Sequence, residues 1–481
     1  MSLPRWSPLV PAGLLTALLA AFGGRYGYHR DELYFLEAGH HPAWGYPDQP
    51  ALVPLLARGW DVVVGGSLWG FRLLPALISG AVVMLAAATC REVGGTSTAD
   101  AATAAAATAT ASTLLATGHL FSTTTFDVAA TSALVLLLLR ALRLGGARPW
   151  LVLGAATGLA LHIKTLPGVV LACCAVGLVV CGPRRPLASV WPWAASAIAL
   201  AIAAPVVVWQ ATHGWPQIAL ARAIAAGSSG TSVERWVVVP LQALLVGPLL
   251  MPLFAVGLLA LWRSPQRWLA VAYGVLLVQT VATGGKPYYT MGLVPAVLAA
   301  SAPVVVRWAR DAGRGRRRPA LLAGVLAANL VIGSLAVLPW LPARDAQPLV
   351  AVNYDLGEQV GWPELVQTVT QASASLPAST VIVAGNYGEA GALSRARRAG
   401  AALPPVYSGH NGFAQWGLPP VSATTVLTVG IVRPDVLSAC RTVAHLRNRA
   451  GIENEENGQP VRVCRHSGAW AADWERLRHL G

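Results

Sequence analysis

The segment HRDELYFLEAGHHPAWGYPDQPALVPLLARG, residues 29–59, decides how the rest of the chain is interpreted. It follows one apolar stretch of membrane-spanning length and precedes many more. Its charged and titratable residues are Asp31, Glu32, Glu37 and Asp48, together with His29, Arg30, His40 and His41. Because charge is costly beside a bilayer, such a cluster between apolar stretches indicates a functional site. The segment therefore points to an enzyme that works at a membrane surface.

The composition indicates a polytopic membrane protein. Of the 481 residues, 55% are hydrophobic and only 12% are charged, whereas soluble domains carry about 25% charged residues. The net charge of +14 would also suit a protein that binds nucleic acid. The arginines, however, occur in short clusters between apolar stretches, where they orient a protein in the membrane. We therefore expect a lipid bilayer as partner, and no nucleic acid.

Eleven apolar stretches predict transmembrane helices, since about 17–25 apolar residues span a bilayer. They fall near residues 8–24, 70–90, 99–118, 126–143, 149–164, 166–182, 188–211, 237–262, 267–284, 288–307 and 319–341. Residues 50–66 are either a further span or a helix at the membrane interface. The expected fold class is an α-helical polytopic membrane protein, with a transmembrane domain over residues 1–342 that includes an outer loop, 25–69.

The placement of arginine predicts the orientation in the membrane. The arginine clusters fall on alternate loops, at Arg91, Arg140 to Arg148, Arg184 to Arg185, Arg263 to Arg267 and Arg307 to Arg318. By the positive-inside rule these loops are cytoplasmic. The N-terminus is then cytoplasmic, while the loop 25–69 and the C-terminal part are extracytoplasmic. We expect a multi-pass protein of the plasma membrane in this orientation.

Residues 343–481 predict a small extracytoplasmic α/β domain. STVIVAG (379–385) and ATTVLTVGIV (423–432) read as strands, and GWPELVQTVTQASASL (361–376) and PDVLSACRTVAHLRNRAG (434–451) read as helices. Cys440 and Cys464 could form a disulfide if this part lies outside the cytoplasm.

Asp31 and Glu32 are the first candidates for catalysis, because they follow the first span at the outer surface. Partial desolvation raises the pKa of a carboxyl group and suits it to accept a proton from an acceptor hydroxyl or amine. The alternative is that the pair caps the next helix at its N-terminus. The sequence does not tell which of the two residues is the base.

Asp127 is a further candidate at the outer end of the fourth span. An acid at the start of a helix is often a cap or a first-turn residue, but Thr123, Thr124 or Thr125 could serve as the cap here. Asp127 would then be available to pair with a cation or to orient a substrate.

Lysine is rare in this chain and is therefore informative. Lys164 and Lys286 are the only two lysines among 35 basic residues, and both lie at predicted outer ends of spans. An ammonium group binds phosphate oxygens as a compact charge, whereas mere snorkelling to the interface would suit arginine equally well. Tyr288 and Tyr289 follow Lys286 and are either substrate contacts or part of an interfacial aromatic belt.

A divalent metal is possible but is not assigned. His29, His40, His41 and Asp48 carry suitable ligand atoms, yet their spacing matches no strong ligand pattern. The candidate ligands retained are His40, His41 and Asp48.

The motifs together resemble the lipid-phosphate-sugar-dependent glycosyltransferases of the GT-C fold, the protein O-mannosyltransferase and aminoarabinose transferase group. An Asp-Glu pair after the first span resembles the start of that group's first outer loop. GYPDQPALVPLLARG resembles its Tyr-x-acid-Lys-Pro-Pro segment, with Tyr46, Asp48 and Gln49 in matching places. GLALHIKTLPG and GGKPYYTMGLVPA resemble its two lysine segments, and Asp127 matches its second outer carboxylate. The resemblance covers roughly residues 10–310.

The resemblance implies inverting transfer of a sugar, such as a mannose-like hexose or a pentose, from a polyprenyl-phosphate donor to an extracytoplasmic acceptor. Asp31 would be the catalytic aspartate, with Glu32 beside it, and Tyr46, Asp48, Gln49, Lys164, Lys286, Tyr288 and Tyr289 would bind substrate. Gln49 departs from the group by replacing a lysine. A histidine for a second metal ligand is also missing near residues 231–236, where Glu234 is the nearest polar candidate.

Two other functions fit the same composition. A transporter or flippase for a lipid-linked glycan would carry charge deep within its spans and broken helices in corresponding halves, whereas the charges here crowd at one predicted face. A ligase that moves a whole oligosaccharide would keep the same fold. The acceptor is a protein, a glycan, a lipid or a small molecule, and the sequence does not distinguish these.

Overall fold

A computed structural model describes residues 3–227, 232–311, 317–430 and 435–481. In chain order the first helices are α1 (Leu9–Phe22), α2 (Arg30–Ala38), α3 (Leu52–Val63), α4 (Leu68–Glu92), α5 (Thr98–Ala109), α6 (Ser112–His119), α7 (Thr123–Leu144), α8 (Ala147–Leu161), α9 (Leu166–Cys181), α10 (Arg184–Leu187), α11 (Trp191–Thr212), α12 (Pro216–Ala225), α13 (Val238–Val246), α14 (Met251–Trp262), α15 (Arg267–Thr283), α16 (Val294–Arg310) and α17 (Arg317–Val337).

The C-terminal part mixes helices and strands, as predicted. Its elements are α18 (Gln347–Val350), α19 (Trp362–Ser373), β1 (Val381–Ala384), α20 (Tyr387–Arg398), β2 (Val406–Ser408), β3 (Thr425–Val429), β4 (Ser438–His445), β5 (Pro460–Arg465) and α21 (Trp470–Leu477). The expected fold class, a polytopic helical protein with a small α/β domain, is confirmed.

The chain forms two compact units, which we call the helical unit and the mixed unit. The helical unit comprises Met1–Gly23, Arg72–Gly214 and Ala221–Leu335, and the mixed unit comprises Gly24–Phe71, Trp215–Leu220 and Ala336–Gly481. The loop 25–69 thus belongs to the same compact unit as the C-terminal part. The division of the chain at residues 342 and 343 stays a prediction.

Helices occupy all eleven apolar stretches that the sequence singles out. Among the described residues, five are long and apolar enough to cross a membrane: α4, α7, α11, α17 and the segment Pro287–Arg310, which joins a 3₁₀ turn to α16. Four shorter apolar helices are α1, α8, α9 and α15. The number of spans therefore stays a prediction. Helix α3, in the stretch 50–66, has only 12 residues and is not among the candidate spans.

Two of the predicted spans, 99–118 and 237–262, are each divided into two helices. Helices α13 and α14 meet at an angle of 90°, because Gly247 has a φ of +121° and Pro248 cannot continue the preceding helix. The stretch 99–118 divides into α5 and α6. The buried side chain of Asn329 in α17 bonds the backbone at both breaks. It accepts from the Leu249 N–H at 3.1 Å and donates to the Thr110 carbonyl at 2.7 Å. Backbone groups that are freed within a membrane need such partners.

Small residues allow the helices of the helical unit to pack closely. At Gly177 in α9, a Cβ atom would lie 2.2 Å from the carbonyl oxygen of Trp268 in α15. Only glycine permits that separation, as is usual for helix pairs in membranes.

The sheet of the mixed unit has the strand order β2-β1-β3-β5-β4. Strand β1 is parallel to β2 and β3, whereas β5 is antiparallel to β3 and β4. Because side chains alternate along a strand, Ile382 packs with Leu365 and Leu393 on one face. Val381 and Val383 pack with Trp470 and Trp474 on the other. Helices therefore cover both faces of the sheet.

One helix prediction is wrong in this unit. Within the stretch 434–451, residues 438–445 form the edge strand β4 rather than a helix. The strand is held by its ladder to β5 and by the disulfide Cys440–Cys464, which confirms the expected pairing of these cysteines. Tertiary pairing here overrides a helix-like local pattern.

Candidate active site

A capping box positions the helix that carries Asp31 and Glu32. The backbone N–H of His29 donates to Glu32 Oε2 at 2.8 Å, and the backbone N–H of Asp31 donates to His29 Nδ1 at 3.2 Å. Glu32 is fully buried in this role. Of the two acidic residues, Glu32 therefore caps the helix N-terminus, which is the alternative role that the sequence suggested for the pair. The Asp31 side chain takes no part in the cap.

Asp31 is held by a tyrosine from the C-terminal part. The hydroxyl of Tyr387, the first residue of α20, donates to Asp31 Oδ1 at 2.7 Å. Burial raises the pKa of Tyr387, so the phenol stays protonated and acts as a donor. The Arg30 guanidinium lies 5.4 Å from the centre of the Tyr387 ring. Asp31 is only half-buried, and it presents an oriented carboxylate.

Asp48 has a matching tyrosine. The Tyr34 hydroxyl donates to Asp48 Oδ1 at 2.6 Å and accepts from the Gly412 N–H at 3.0 Å. Burial raises the pKa of Asp48 to about 7, and the negative charge of Asp31 adds to the effect. The rings of Tyr34 and Tyr387 are 5.0 Å apart. Two carboxyl groups are thereby linked through a pair of touching tyrosines.

Tyr46 and Gln49 lie in the same loop but differ in their contacts. The buried Tyr46 hydroxyl is 2.8 Å from the Ala38 carbonyl and 3.0 Å from that of His41, so it ties the loop to the end of α2. Gln49 is 3% exposed. Neither amide atom of its side chain has a hydrogen-bond partner among the described residues. A buried amide without partners is costly, which makes Gln49 a candidate for contact with a ligand.

An ionic cluster holds Arg30 beside this site. Arg30 pairs with Glu455, and its Nη1 lies 3.5 Å from Glu358 Oε2. Burial, together with the neighbouring carboxylate of Glu358, raises the pKa of Glu456 to about 8. These acidic residues come from loops of the C-terminal part, so they anchor the start of α2 to that part.

The candidate metal ligands do not come together in one set. His40 is exposed, His41 Nε2 lies 3.5 Å from Glu37 Oε1, and Asp48 accepts from Tyr34. Within the described ranges, one group of three ligand residues has its ligand atoms within 4.8 Å, namely Glu358, Glu455 and Glu456. The Arg30 cation already pairs with that group. Neither set therefore fits a bound divalent metal.

In the helical unit, Asp127 is not the helix cap. Ser122 caps α7 by accepting from the Thr125 N–H at 3.2 Å, so the cap is a residue before the three threonines. Asp127 is buried, and its Oδ2 lies 4.0 Å from Lys164 Nζ. The carboxylate therefore has the cation partner that the sequence suggested.

Both lysines lie near the ring of Tyr288, and Lys164 also lies near that of Tyr289. Lys164 Nζ lies 5.5 Å from the centre of the Tyr288 ring and 5.3 Å from that of Tyr289. Lys286 Nζ lies 5.9 Å from the Tyr288 ring. Such distances are typical of cation–π contacts. Residues that are 122 positions apart in the sequence thus form one group, with Asp127 as its acidic member.

Tyr387 and the acidic partners of Arg30 are site residues that the sequence analysis did not find. The segment GNYGEAGAL, residues 385–393, contains the local features that could have located Tyr387. Asn386 caps α20, and Gly388 lets α2 approach so closely that a Cβ atom there would lie 2.7 Å from the Cβ of Arg30. Tyr387 lies between these two residues, so the helix cap and the close packing at Gly388 fix its position.

Comparison with known proteins gives a family match for part of the chain. Residues 48–209 match the family model described as dolichyl-phosphate-mannose-protein mannosyltransferase. None of the curated proteins matches the sequence.

Solved structures share the fold over nearly the whole chain. ArnT from Cupriavidus metallidurans in the apo state is 16% identical, with a TM-score of 0.57 over 95% of this chain and 97% of that one. Its complex with undecaprenyl phosphate has a TM-score of 0.55 at 15% identity, with the same shares covered. The mycobacterial arabinofuranosyltransferase AftD is 14% identical, with a TM-score of 0.53 over 97% of this chain and 42% of that one.

This chain has the fold of the GT-C glycosyltransferases. The predicted fold and a location in a membrane are thereby confirmed. The match of residues 48–209 to a mannosyltransferase family model agrees with the predicted enzyme class, a glycosyltransferase.

Proposed function

We propose that this GT-C glycosyltransferase transfers a sugar, with inversion, from a polyprenyl-phosphate donor to an acceptor on the extracytoplasmic side of the membrane. The observation that carries the proposal is the approach of both Lys164 and Lys286 to the Tyr288 ring, with Asp127 beside Lys164. The mannosyltransferase family name and the undecaprenyl phosphate complex of the Cupriavidus ArnT support a lipid-phosphate donor.

The lysines bind the donor phosphate in this proposal. Ammonium groups held by tyrosine rings are preorganised, so they stabilise the negative charge that develops as the phosphate departs. Asp127 holds Lys164 in place by their ion pair. Tyr288 and Tyr289 fix the direction of both ammonium groups and line the path of the donor.

Asp31 is the base that activates the acceptor. Its carboxylate accepts the proton of an acceptor hydroxyl or amine while that group attacks the anomeric carbon of the donor sugar. The bond between that carbon and the phosphate oxygen breaks on the opposite face, which gives inversion. Tyr387 orients Asp31 through the hydrogen bond of 2.7 Å, and Glu32 contributes by capping the helix that presents Asp31.

Gln49, Asp48 and Tyr46 complete the substrate contacts. The unpartnered Gln49 amide binds the donor where related enzymes carry a lysine, and the amide replaces that charge with hydrogen bonds. Asp48, with a pKa of about 7, accepts or donates a hydrogen bond to a sugar hydroxyl near neutral pH. Tyr46 keeps their loop in shape.

The transferred sugar is a mannose-like hexose or a pentose in this proposal, and the protein lies in the plasma membrane with a cytoplasmic N-terminus.

The test is incubation of the purified protein with a panel of polyprenyl-phosphate sugars and a cell-envelope extract, followed by mass spectrometry of the products. We expect one donor to be consumed and a glycosylated acceptor to form. Consumption of none of the donors, with the lipid phosphate sugars recovered intact, would contradict the proposal.

A further inference from the structure

A cavity in the mixed unit remains without a role in the reaction described so far. It has a volume of about 250 Å³ and opens between the end of α2, the end of α20, strand β2 and the turn after it. Its wall includes Glu37, His41, Arg398, Tyr407, Phe413 and Trp416. A cavity somewhat below the range of about 300–1,000 Å³ for drug-sized ligands suits a single small ring.

Aromatic rings form one side of the cavity. His41 and Trp416 stack with ring centres 4.6 Å apart, and Phe413 lies 4.7 Å from Trp416. Trp416 also stacks on Tyr34 at 5.9 Å, and Tyr34 is the residue that holds Asp48. The aromatic wall is therefore continuous with the tyrosine pair that holds Asp48 and Asp31.

Polar groups form the other side. Glu37 is 5% exposed, pairs with Arg398 and lies 3.5 Å from His41 Nε2. Burial alone would raise the pKa of Glu37, but the hydrogen bonds from His41 and Arg398 lower it overall. A buried carboxylate that lies between a guanidinium and an imidazole offers hydrogen-bond acceptors and donors side by side in the cavity wall.

We propose that this cavity binds a sugar residue of the acceptor, and hence that the acceptor of this enzyme is a glycan. Aromatic surfaces pack against the apolar C–H face of a sugar ring, while carboxylate, imidazole and guanidinium groups bind its hydroxyls. The Arg398 charge is paired with Glu37, and Arg397, the other guanidinium of the wall, donates from Nε to the Leu403 carbonyl at 3.2 Å, which leaves further N–H groups of both for sugar hydroxyls. This inference rests on the proposed function, and it names the class of acceptor.

The first test measures binding to the full-length protein in detergent by saturation-transfer NMR. The probes are lipid-free neutral oligosaccharides, namely mannotriose, an arabinofuranosyl trisaccharide, and the neutral oligosaccharides released from the cell envelope of the source organism by mild acid. Binding with a dissociation constant below about 10 mM is expected. If none of these oligosaccharides binds, the inference is overturned.

Two variants locate the binding. Ser394→Trp fills the cavity from α20, whose Ser394 lines it, and Glu37→Gln removes the buried charge with little change of shape. Each is expected to weaken oligosaccharide binding at least about tenfold. Gln371→Trp, on the exposed face of α19 in the same unit, is the control and should bind within about twofold of wild type. Wild-type affinity in the Ser394→Trp protein overturns the inference even if Glu37→Gln fails to fold.

Competition separates this inference from the proposed function. Undecaprenyl phosphate binding is measured on the same samples, and wild-type binding is expected for Ser394→Trp. If the oligosaccharide is displaced by the sugar 1-phosphate of the donor, the cavity holds the donor sugar and the inference is wrong. If the protein binds undecaprenyl phosphate but no oligosaccharide, the acceptor inference fails while the donor proposal stands.

Discussion

Asp31 and Glu32 are neighbours in the sequence but have different surroundings. Glu32 is fully buried against the N-terminus of its own helix, whereas Asp31 is half-buried and has one strong donor, Tyr387. A carboxylate that satisfies backbone N–H groups is committed to that role. These contacts support the proposal that Asp31 is the base and that Glu32 caps its helix, a choice that the sequence left open.

Replacement of Asp31 by asparagine should abolish proton acceptance and nearly preserve shape. We expect turnover to fall by about a hundredfold or more with donor binding retained. Glu32→Gln should chiefly lower thermal stability, because a weakened cap costs about 0.5–2 kcal/mol. Steady-state kinetics and thermal unfolding of both proteins measure this, and near-normal turnover of Asp31→Asn would reject the assignment.

The lysines allow a test of charge against geometry. Lys164→Arg and Lys286→Arg keep the charge but replace a compact ammonium group with a planar fork. We expect each to raise the KM for the polyprenyl-phosphate donor by about tenfold. The Lys→Met variants should raise this KM further, because the phosphate charge then has no cationic partner at that position. Arg185→Lys, at a predicted cytoplasmic loop, is the control. Wild-type kinetics for both methionine variants would assign the lysines a structural role.

Asp48 should make stability depend on pH. Its pKa is about 7 in the folded chain and about 3.9 in an unfolded one. Between these values the folded state retains a proton that the unfolded state releases, so stability falls as pH rises from about 4 to 7 and stays lower above it. Asp48→Asn keeps an acceptor for Tyr34 and removes this titration.

We therefore expect the melting temperature of Asp48→Asn to exceed that of wild type at pH 8 by on the order of 5 °C, and the difference to shrink at pH 5. Glu389 and Glu456 have raised pKa values of about 7 and 8, so they make stability fall with rising pH in wild type and in the variant alike. Asp345→Asn, an exposed change, is the control. An equal difference at both pH values would contradict the titration of Asp48.

At the scale of elements, helix α20 links the C-terminal part to the candidate base. Its cap at Asn386 and the close approach at Gly388 place the Tyr387 hydroxyl on Asp31. Because hydrogen bonds to charged groups contribute about 1.5–3 kcal/mol, Tyr387→Phe should lower kcat about 10- to 100-fold with little change in the donor KM.

A positioning role for Tyr387 would also change the pH profile. Loss of the hydroxyl removes the donor that orients the Asp31 carboxylate, so the pH dependence of kcat should change together with its value. Tyr26→Phe, at a tyrosine of the same unit whose hydroxyl donates to the Leu341 carbonyl, is the control. A Tyr387→Phe protein that loses kcat but keeps the wild-type pH profile would show a merely structural effect.

The sequence predicts elements well where burial follows composition. Apolar stretches located the helices, and the β-branched runs located β1 and β3. It failed where distant partners decide the outcome. Strand β4 depends on β5 and on the Cys440–Cys464 disulfide, and the break at Gly247 depends on Asn329, 82 residues further along the chain.

The same reasoning applies to the candidate site. The rarity of lysine and the crowding of acids singled out residues that the fold brings into contact, as with Asp127 and Lys164. Tyr387 could not be assigned from the sequence, because its partner lies 356 residues away. Residue chemistry can be inferred locally, whereas long-range pairing needs the fold.

At the scale of the whole molecule, the orientation in the membrane is the main prediction, and arginine on alternate loops carries it. His40 and Val421 both lie on exposed positions of the mixed unit, so they should face the same, outer side. Thr96 lies in the loop after Arg91 and should face the cytoplasm. Substituted cysteines at these positions report the side by their reaction with a membrane-impermeant maleimide.

The background for this experiment follows from the cysteines present. Replacing Cys90, Cys173, Cys174 and Cys181 by alanine removes the free thiols, while the Cys440–Cys464 disulfide is unreactive and keeps β4 in place. We expect His40→Cys and Val421→Cys to react in intact cells and Thr96→Cys to react only after permeabilisation. Reaction of the first two only after permeabilisation would place Asp31 and its helix on the cytoplasmic side, because His40 lies two residues after the end of α2, the helix that carries Asp31. An extracytoplasmic acceptor would then be excluded, and the proposed direction of sugar transfer with it.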